Sequence, residues 1–499
     1  MKRKRKWLFA RAAALILCAA CALPAALPAA AETTVEGEYA YDGYTYDYWQ
    51  NEKECSPAFR LVQTFGAETF APNGIQSADD VACGGGHIFI VDKVSGRLNI
   101  LKEDGTLVQS VKTVRDASGK IAMDPKTGKQ IVLKSPEGVF VDEKAGEVYV
   151  ADTGNGRIVV LDGTTWAFRR MMERPAAMSG KTEFKPSKVA VDRDGRVYAV
   201  VQSSYEGIVE LNADGSFSRY FGVNKPKVNL VDYFWKSIAS NTQKSKMQQT
   251  LAPAFNNIDV DPEGFVYATT CDANAQDMVF RLNSNGENVL RQRGNTKVVG
   301  DVVEQDDTPS RMVDIAVTDY GVYALLDKTR GRIFLYDFDG NLLNVFSGIG
   351  SAKGQLRQPT SIAWMDDKLV VTDQKLLRVN VYAPTRFGQA ALKASRAYYR
   401  GNWDAALAGF QEALKQNSNY DVAYIGIGKN YLMKQNYEKA MYYLRLGNDR
   451  DDYSTAYNQY RSIVMQKYFG IFMAAAVVGI GLLLYSEHRY FKKNEAQER

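Results

Sequence analysis

Six segments between residues 81 and 383 share one rhythm, and that rhythm restricts the chain more than any other feature. The copies open with VACGGGHIFIVD (81–92), VFVDEKAGEVYVAD (139–152), VAVDRDGRVYAVV (189–201), IDVDPEGFVYATT (258–270), IAVTDYGVYALLD (315–327) and IAWMDDKLVVTD (362–373). Within each, apolar and polar residues alternate with the period of two that places one face of a strand inward. Glycine-bearing turns punctuate the alternation. RDG (193–195) and PEG (262–264) join a first strand to a second, while EDG, ADG, SNG and FDG join a third to a fourth. Asn-Gly and Asp-Gly favour the positive φ angles that tight hairpins require.

A four-stranded meander cannot bury both of its faces alone. Six in series, stacked face to face around an axis, form a six-bladed β-propeller, so the fold class is mainly β. The sixth copy lacks its fourth strand. FRLVQTFG (59–66) matches the ends of other copies, FSRYFG and LLNVFSG, and is predicted to complete the last blade. Such closure removes the exposed edges of an open array. Between the third and fourth copies, VNLVDYFWKSIASNTQKSKMQQ (228–249) has a helical pattern and marks an insertion over 223–254.

An Asp and an Arg five positions apart recur at Asp92/Arg97, Asp152/Arg157, Asp327/Arg332 and Asp373/Arg378, spanning the turn from second to third strand. Four uses of one pair favour a turn bracket, with the Asp accepting turn N–H groups, over a metal loop. VYVADTGNGRIVVLD, preceded by SPEGVFVD, resembles the NHL repeat, and the ring is similar to NHL/TolB-like six-bladed propellers over roughly 56–387. The pattern weakens in the third copy, where Gln202 and Gly207 replace the pair, and in the fourth, where CDANAQDM lengthens the loop.

The N-terminus reads MKRKRKWLFAR, then an apolar run from Ala12 to Leu23, then PAALPAAAE: a secretory signal peptide over 1–31. Near the C-terminus, YFGIFMAAAVVGIGLLLYS (468–486) carries no charge. At about 1.5 Å per residue such a helix spans roughly 28 Å, close to the hydrocarbon thickness of a bilayer. Arg489, Lys492 and Lys493 follow. The expected topology is a single-pass cell-membrane protein, body outside, tail 487–499 in the cytoplasm. Cys55, Cys83 and Cys271 remain after cleavage, too few for a disulfide framework, with Cys55 and Cys83 open either to pairing or to burial. The net charge of +5 owes much to the signal region and gives no reason to expect nucleic acid. A leader at 32–55 holds the aromatic run YAYDGYTYDYW (39–49), expected to pack on the propeller's flank.

After Pro384 the period becomes helical. Trp403, Ala406 and Phe410 align with Tyr437, Ala440 and Leu444 at a constant offset of 34 residues. That offset, with small Ala against large aromatics, resembles tetratricopeptide (TPR) repeats. Two repeats and a capping helix are expected over 388–467, the cap running on into the membrane span. A TPR groove for peptides or partner helices and a rigid spacer are both open.

Enzymatic chemistry finds little support. Only His87 and His488 occur, so the three-histidine zinc site of amidating-lyase relatives cannot be built. Lactonase-like relatives use a carboxylate and amide cage for Ca²⁺. The residues just before each first strand ring the propeller mouth, and Glu137, Asn256 and Asp314 are the hard oxygen candidates there. Asp79 and Lys188 share the ring, while Tyr233 and Trp235 on the insertion are candidate anchors for a partner or a sugar. The favoured reading is a binding protein rather than an enzyme, with no cofactor unless Ca²⁺. Protein partners would use the mouth or the TPR groove, and carbohydrate is a candidate ligand. Propeller, TPR and one span together resemble accessory proteins of envelope assemblies, such as transporters of carbohydrate or other solutes. The alternative is a Ca²⁺-dependent lactonase-like hydrolase or lyase on the mouth.

Overall fold

The computed structural model describes residues 41–178, 183–223, 253–272, 275, 277–292, 298, 300–301 and 309–497. The segment expected to be a signal peptide and the body of the insertion, with Tyr233 and Trp235, lie outside them. The described chain forms a six-bladed β-propeller followed by five helices. Blades 1 to 3 are four-stranded meanders over 80–111, 138–173 and 186–221. Their innermost first strands meet in cyclic order around the ring, blade 6 against blade 1.

Ring closure is as the sequence predicts. Phe59–Phe65 pairs antiparallel with Arg378–Pro384 and supplies the outer strand of blade 6. Two blades depart from the four-stranded expectation. Among the described residues blade 4 has three strands, Asn257–Val260, Val266–Thr269 and Val279–Leu282, with a single bridge from Leu282 to Asn288 at its fourth position. Blade 5 has six. The hairpin Gly43–Tyr46 and Glu52–Cys55 adds to Leu342–Ser347 through Tyr44 opposite Val345. The aromatic leader therefore lies on the propeller's flank, as a strap on this blade.

Alternation explains where the core sits. The inward residues of neighbouring blades interdigitate at each seam, as with Phe89, Leu98 and Ile100 of blade 1 against Val148, Val150 and Leu161 of blade 2. Each such aliphatic side chain contributes roughly 1.5–3 kcal/mol on burial. A segment that sequence reasoning passed over, residues 112–135, wedges Val114, Ala122, Ile131 and Leu133 into the same seam. The seam between blades 5 and 6 is aromatic: Phe59 stacks on Phe346 at 5.2 Å, with Trp364 and Tyr382 edge-on.

Helices α1 (Arg386–Tyr399), α2 (Trp403–Gln416), α3 (Asp421–Met433) and α4 (Tyr437–Leu446) form two helix–turn–helix pairs. The 34-residue offset reappears in their caps, since the side chains of Asn402 and Asn436 accept the N–H groups of Ala405 and Lys439. Close approach depends on small residues: a Cβ at Gly409 would lie 2.9 Å from Ala394 Cα. Helix α5 (Arg450–Gln497) runs unbroken from the helical module into the apolar segment, and is long and apolar enough to cross a membrane. Cys55, Cys83 and Cys271 are free thiols.

The helices dock on the face where first strands turn into second ones. Acidic turn residues receive them. Arg396 pairs with Asp367, Arg400 with Asp319 at 3.0 Å, and Tyr399 donates to Glu263. Asp339 is a hub, accepting Lys429 at 2.6 Å and Tyr398 at 3.2 Å while holding Arg291 of its own ring at 2.6 Å. The strap adds Lys53 to Asp421 at 2.7 Å, and Arg450 at the start of α5 sits 4.7 Å over the Tyr48 ring.

Candidate functional site

The first strand of every blade contributes one residue to a ring around the central channel: Asp80, Gly138, Lys188, Asn257, Asp314 and Ser361. All but Gly138 line a cavity of about 260 Å³. Lys188 of blade 3 reaches past blade 2 to pair with Asp80 of blade 1. Glycine at 138 makes that close passage possible, because a Cβ there would lie 2.5 Å from the Ser187 carbonyl oxygen. Asp80 also accepts Ser361 Oγ at 2.8 Å, which ties blade 6 to blade 1.

A second regularity runs through the channel carboxylates. Asp80 accepts the Val139 N–H at 2.8 Å, Asp259 the Val317 N–H at 2.8 Å, and Asp314 the Ile362 N–H at 2.7 Å. In each case the donor belongs to the first strand of the following blade. Asp259 and Asp314 each take a further N–H from the residue after themselves. Burial pushes the Asp259 carboxyl up to about 7 and raises Asp314 as well. Their oxygens bind adjacent blades together.

Above this ring lies the rim, where the residues flagged by sequence separate into two groups. Glu137 accepts Lys93 and Gln202, each at 2.7 Å, so it bridges blades 1, 2 and 3. Asp79 accepts the Lys93 N–H at 3.0 Å and Gln374 of blade 6 at 3.2 Å, and burial raises its carboxyl. Asn256 donates to the Val313 carbonyl at 2.6 Å, while its own Oδ1 accepts nothing among the described residues. Lys188 and Asp314 instead belong to the channel ring. Glu137, Asn256 and Asp314 each already have protein partners. Glu137 faces a lysine, Asn256 bonds backbone through its amide hydrogens, and Asp314 accepts two N–H groups. Among the described residues no three His, Cys, Asp or Glu side chains form a group suited to a metal ion.

The Asp/Arg pairs bracket their turns as the sequence predicts, with each Arg opening the third strand. Asp92, Asp327 and Asp373 each accept backbone N–H groups from two segments, as Asp373 does from Arg357 and Gln358 ahead of the blade and from Lys375 and Leu376 in the turn, while Asp152 takes the Lys134 N–H and the side-chain amide of Asn155. Direct pairing with the Arg occurs in blade 2 alone, where Arg157 Nε lies 2.8 Å from Asp152. Arg97 bonds Ser110, Arg378 holds carbonyls of the preceding loop, and Arg332 pairs with Asp301. Asp301, 5% exposed, also accepts Tyr44 and Tyr46 of the strap, a role that no repeat pattern announces. Burial and the Asp301 charge together raise the Tyr44 hydroxyl well above its ordinary value.

The fold and its inter-blade ring define a six-bladed β-propeller, and the NHL repeat model matches residues 133–161, most of blade 2. No curated protein matches the chain. Among solved structures the chain is similar to a virginiamycin B lyase from Staphylococcus aureus, at 10% identity over 65% of this chain and 99% of that one, TM-score 0.40. It is also similar to the Cps50 (Swd1) β-propeller domain of Myceliophteria thermophila, at 11% identity over 66% and 100%, TM-score 0.36.

Proposed function

We propose that the chain is a membrane-anchored, extracytoplasmic interaction protein. In this reading the propeller and helices serve as one platform for protein partners in an envelope assembly, with transport of carbohydrate or another solute as its setting. The observation that carries it is the interlock. Strap, blades 4–6 and helices share a continuous set of ion pairs and hydrogen bonds centred on Asp339, and α5 extends from that body as one exposed apolar helix. The rim supports recognition of partners. Lys93 has a side chain 45% exposed, and the chain between the third and fourth blades carries Tyr233 and Trp235. The channel carboxylates, engaged in joining blades, favour binding over turnover.

The test is capture of partners by the detergent-solubilised full chain, read by mass spectrometry. Lys93→Glu or Tyr233→Ala with Trp235→Ala is expected to deplete the partner by about tenfold or more while the chain stays folded. Protease added outside intact cells should release a large ectodomain. An ectodomain protected from that protease, or a captured set unchanged from that of α5 alone on an unrelated carrier, overturns the reading.

A further inference from the structure

A second cavity lies at the seam between the propeller and α1. Its volume is about 450 Å³, within the range of small-molecule sites of about 300–1,000 Å³. One wall is the turn after the first strand of blade 5, with Asp319; another is the corresponding turn of blade 6, with Asp366 and Asp367; the third is α1, with Arg396 and Arg400. Trp364 and Val317 line both this cavity and the channel, so the two meet at these side chains.

We propose that this seam cavity binds a neutral polyhydroxylated small molecule, a sugar or polyol. The proposal goes beyond the platform reading and does not rest on it. Three carboxylates face two guanidiniums, and the paired groups Arg400 and Asp319 remain 58% and 59% exposed. An anion would meet excess carboxylate, and a metal ion would meet two guanidiniums. A hydroxyl suits the set, because it accepts from a guanidinium and donates to a carboxylate without breaking the ion pair. Vicinal hydroxyls can span an Arg–Asp fork in this manner. Asp366 forms no ion pair or side-chain hydrogen bond among the described residues and offers acceptor oxygens directly. Trp364 and Val317 supply the apolar wall against which the C–H face of a sugar ring packs. Because the walls come from the propeller and α1, an occupant would bridge the two.

Titration of the detergent-solubilised full chain with glucose, maltose and myo-inositol, followed by calorimetry and saturation-transfer NMR, tests this. At least one probe is expected to bind saturably. Asp366→Asn and Arg400→Gln should each weaken it by about tenfold, the loss of a hydrogen bond to a charged group. Asp366 sits in a surface turn outside the docking pairs, so Asp366→Asn should melt like the parent, and Asp116→Asn on a distant hairpin should bind as the parent does. Absence of saturable binding by all three probes overturns the proposal. So does binding that survives both substitutions, or tighter saturable binding of citrate or inorganic phosphate at the same residues.

Discussion

Lys188 occupies a position where every equivalent residue is small, polar or acidic, and its side chain is only 13% exposed. Its partner Asp80 is 7% exposed, so removing either leaves a buried charge alone. Lys188→Met should therefore destabilise the propeller by about 3–5 kcal/mol in urea unfolding, and adding Asp80→Asn should recover much of that. A double variant no more stable than the single one would show that the pair is not the source. Asp259 makes a pH prediction. Its folded-state value of about 7 lies above the unfolded value, so the native state holds the extra proton. Its contribution to stability is fully present at low pH and is lost as pH rises through about 7. Asp259→Asn should reduce the fall in midpoint between pH 5 and pH 8. Its retained side-chain oxygen can still accept the Val317 N–H.

Among the elements, the closing strand carries the sharpest consequence. Phe59–Phe65 fills the outer edge of blade 6, and Phe59 is fully buried in the aromatic seam. A chain beginning at residue 67 should lose the strap as well, expose the edge of Arg378–Pro384, and aggregate below the parent's unfolding temperature in light scattering. A truncated chain that melts like the parent would refute this. The strand was legible beforehand because its alternation and terminal Phe-Gly repeat those of other blades. The strap was not. Its Tyr44 and Tyr46 answer to Asp301, a residue between blades with no repeating counterpart. The docking of the helices on the turns was half legible. PEG and FDG mark turns by their glycines, but nothing in a turn signature says that Glu263 and Asp339 will meet Tyr399 and Lys429. Such contacts depend on where a distant helix lands. Of the site residues, Asp79, Glu137 and Asn256 stand just before their first strands, whereas Lys188 and Asp314 lie within theirs, and only coordinates separate rim from ring.

For the whole molecule, the question is whether propeller and helices move as one. Asp339 lies under Lys429, Tyr398 and Arg291. Burial alone would raise its carboxyl, but the neighbouring cations hold it below the usual range. Asp339→Ala should loosen docking by about 2 kcal/mol, between the values for exposed and buried pairs. Faster proteolytic cutting near Pro384 and a larger radius in small-angle scattering would report it, with the propeller's own unfolding little changed. Cutting at the parental rate would place the strength of the joint elsewhere, in the Arg396 and Arg400 pairs or the strap.

The ring is shut by its earliest strand. A ribosome delivers Phe59–Phe65 before any blade, and the strand it must join arrives only after five blades have been made. Until then blade 6 does not exist, the strap has no blade 5 to lie on, and the newborn chain carries sticky strand edges with no mate. Holding that early strand soluble while the rest is synthesised, or while it is threaded through a membrane, is work that a chaperone or a slow-folding interval must do. Delay in production, more than weakness of the finished protein, is where this architecture is most exposed to failure.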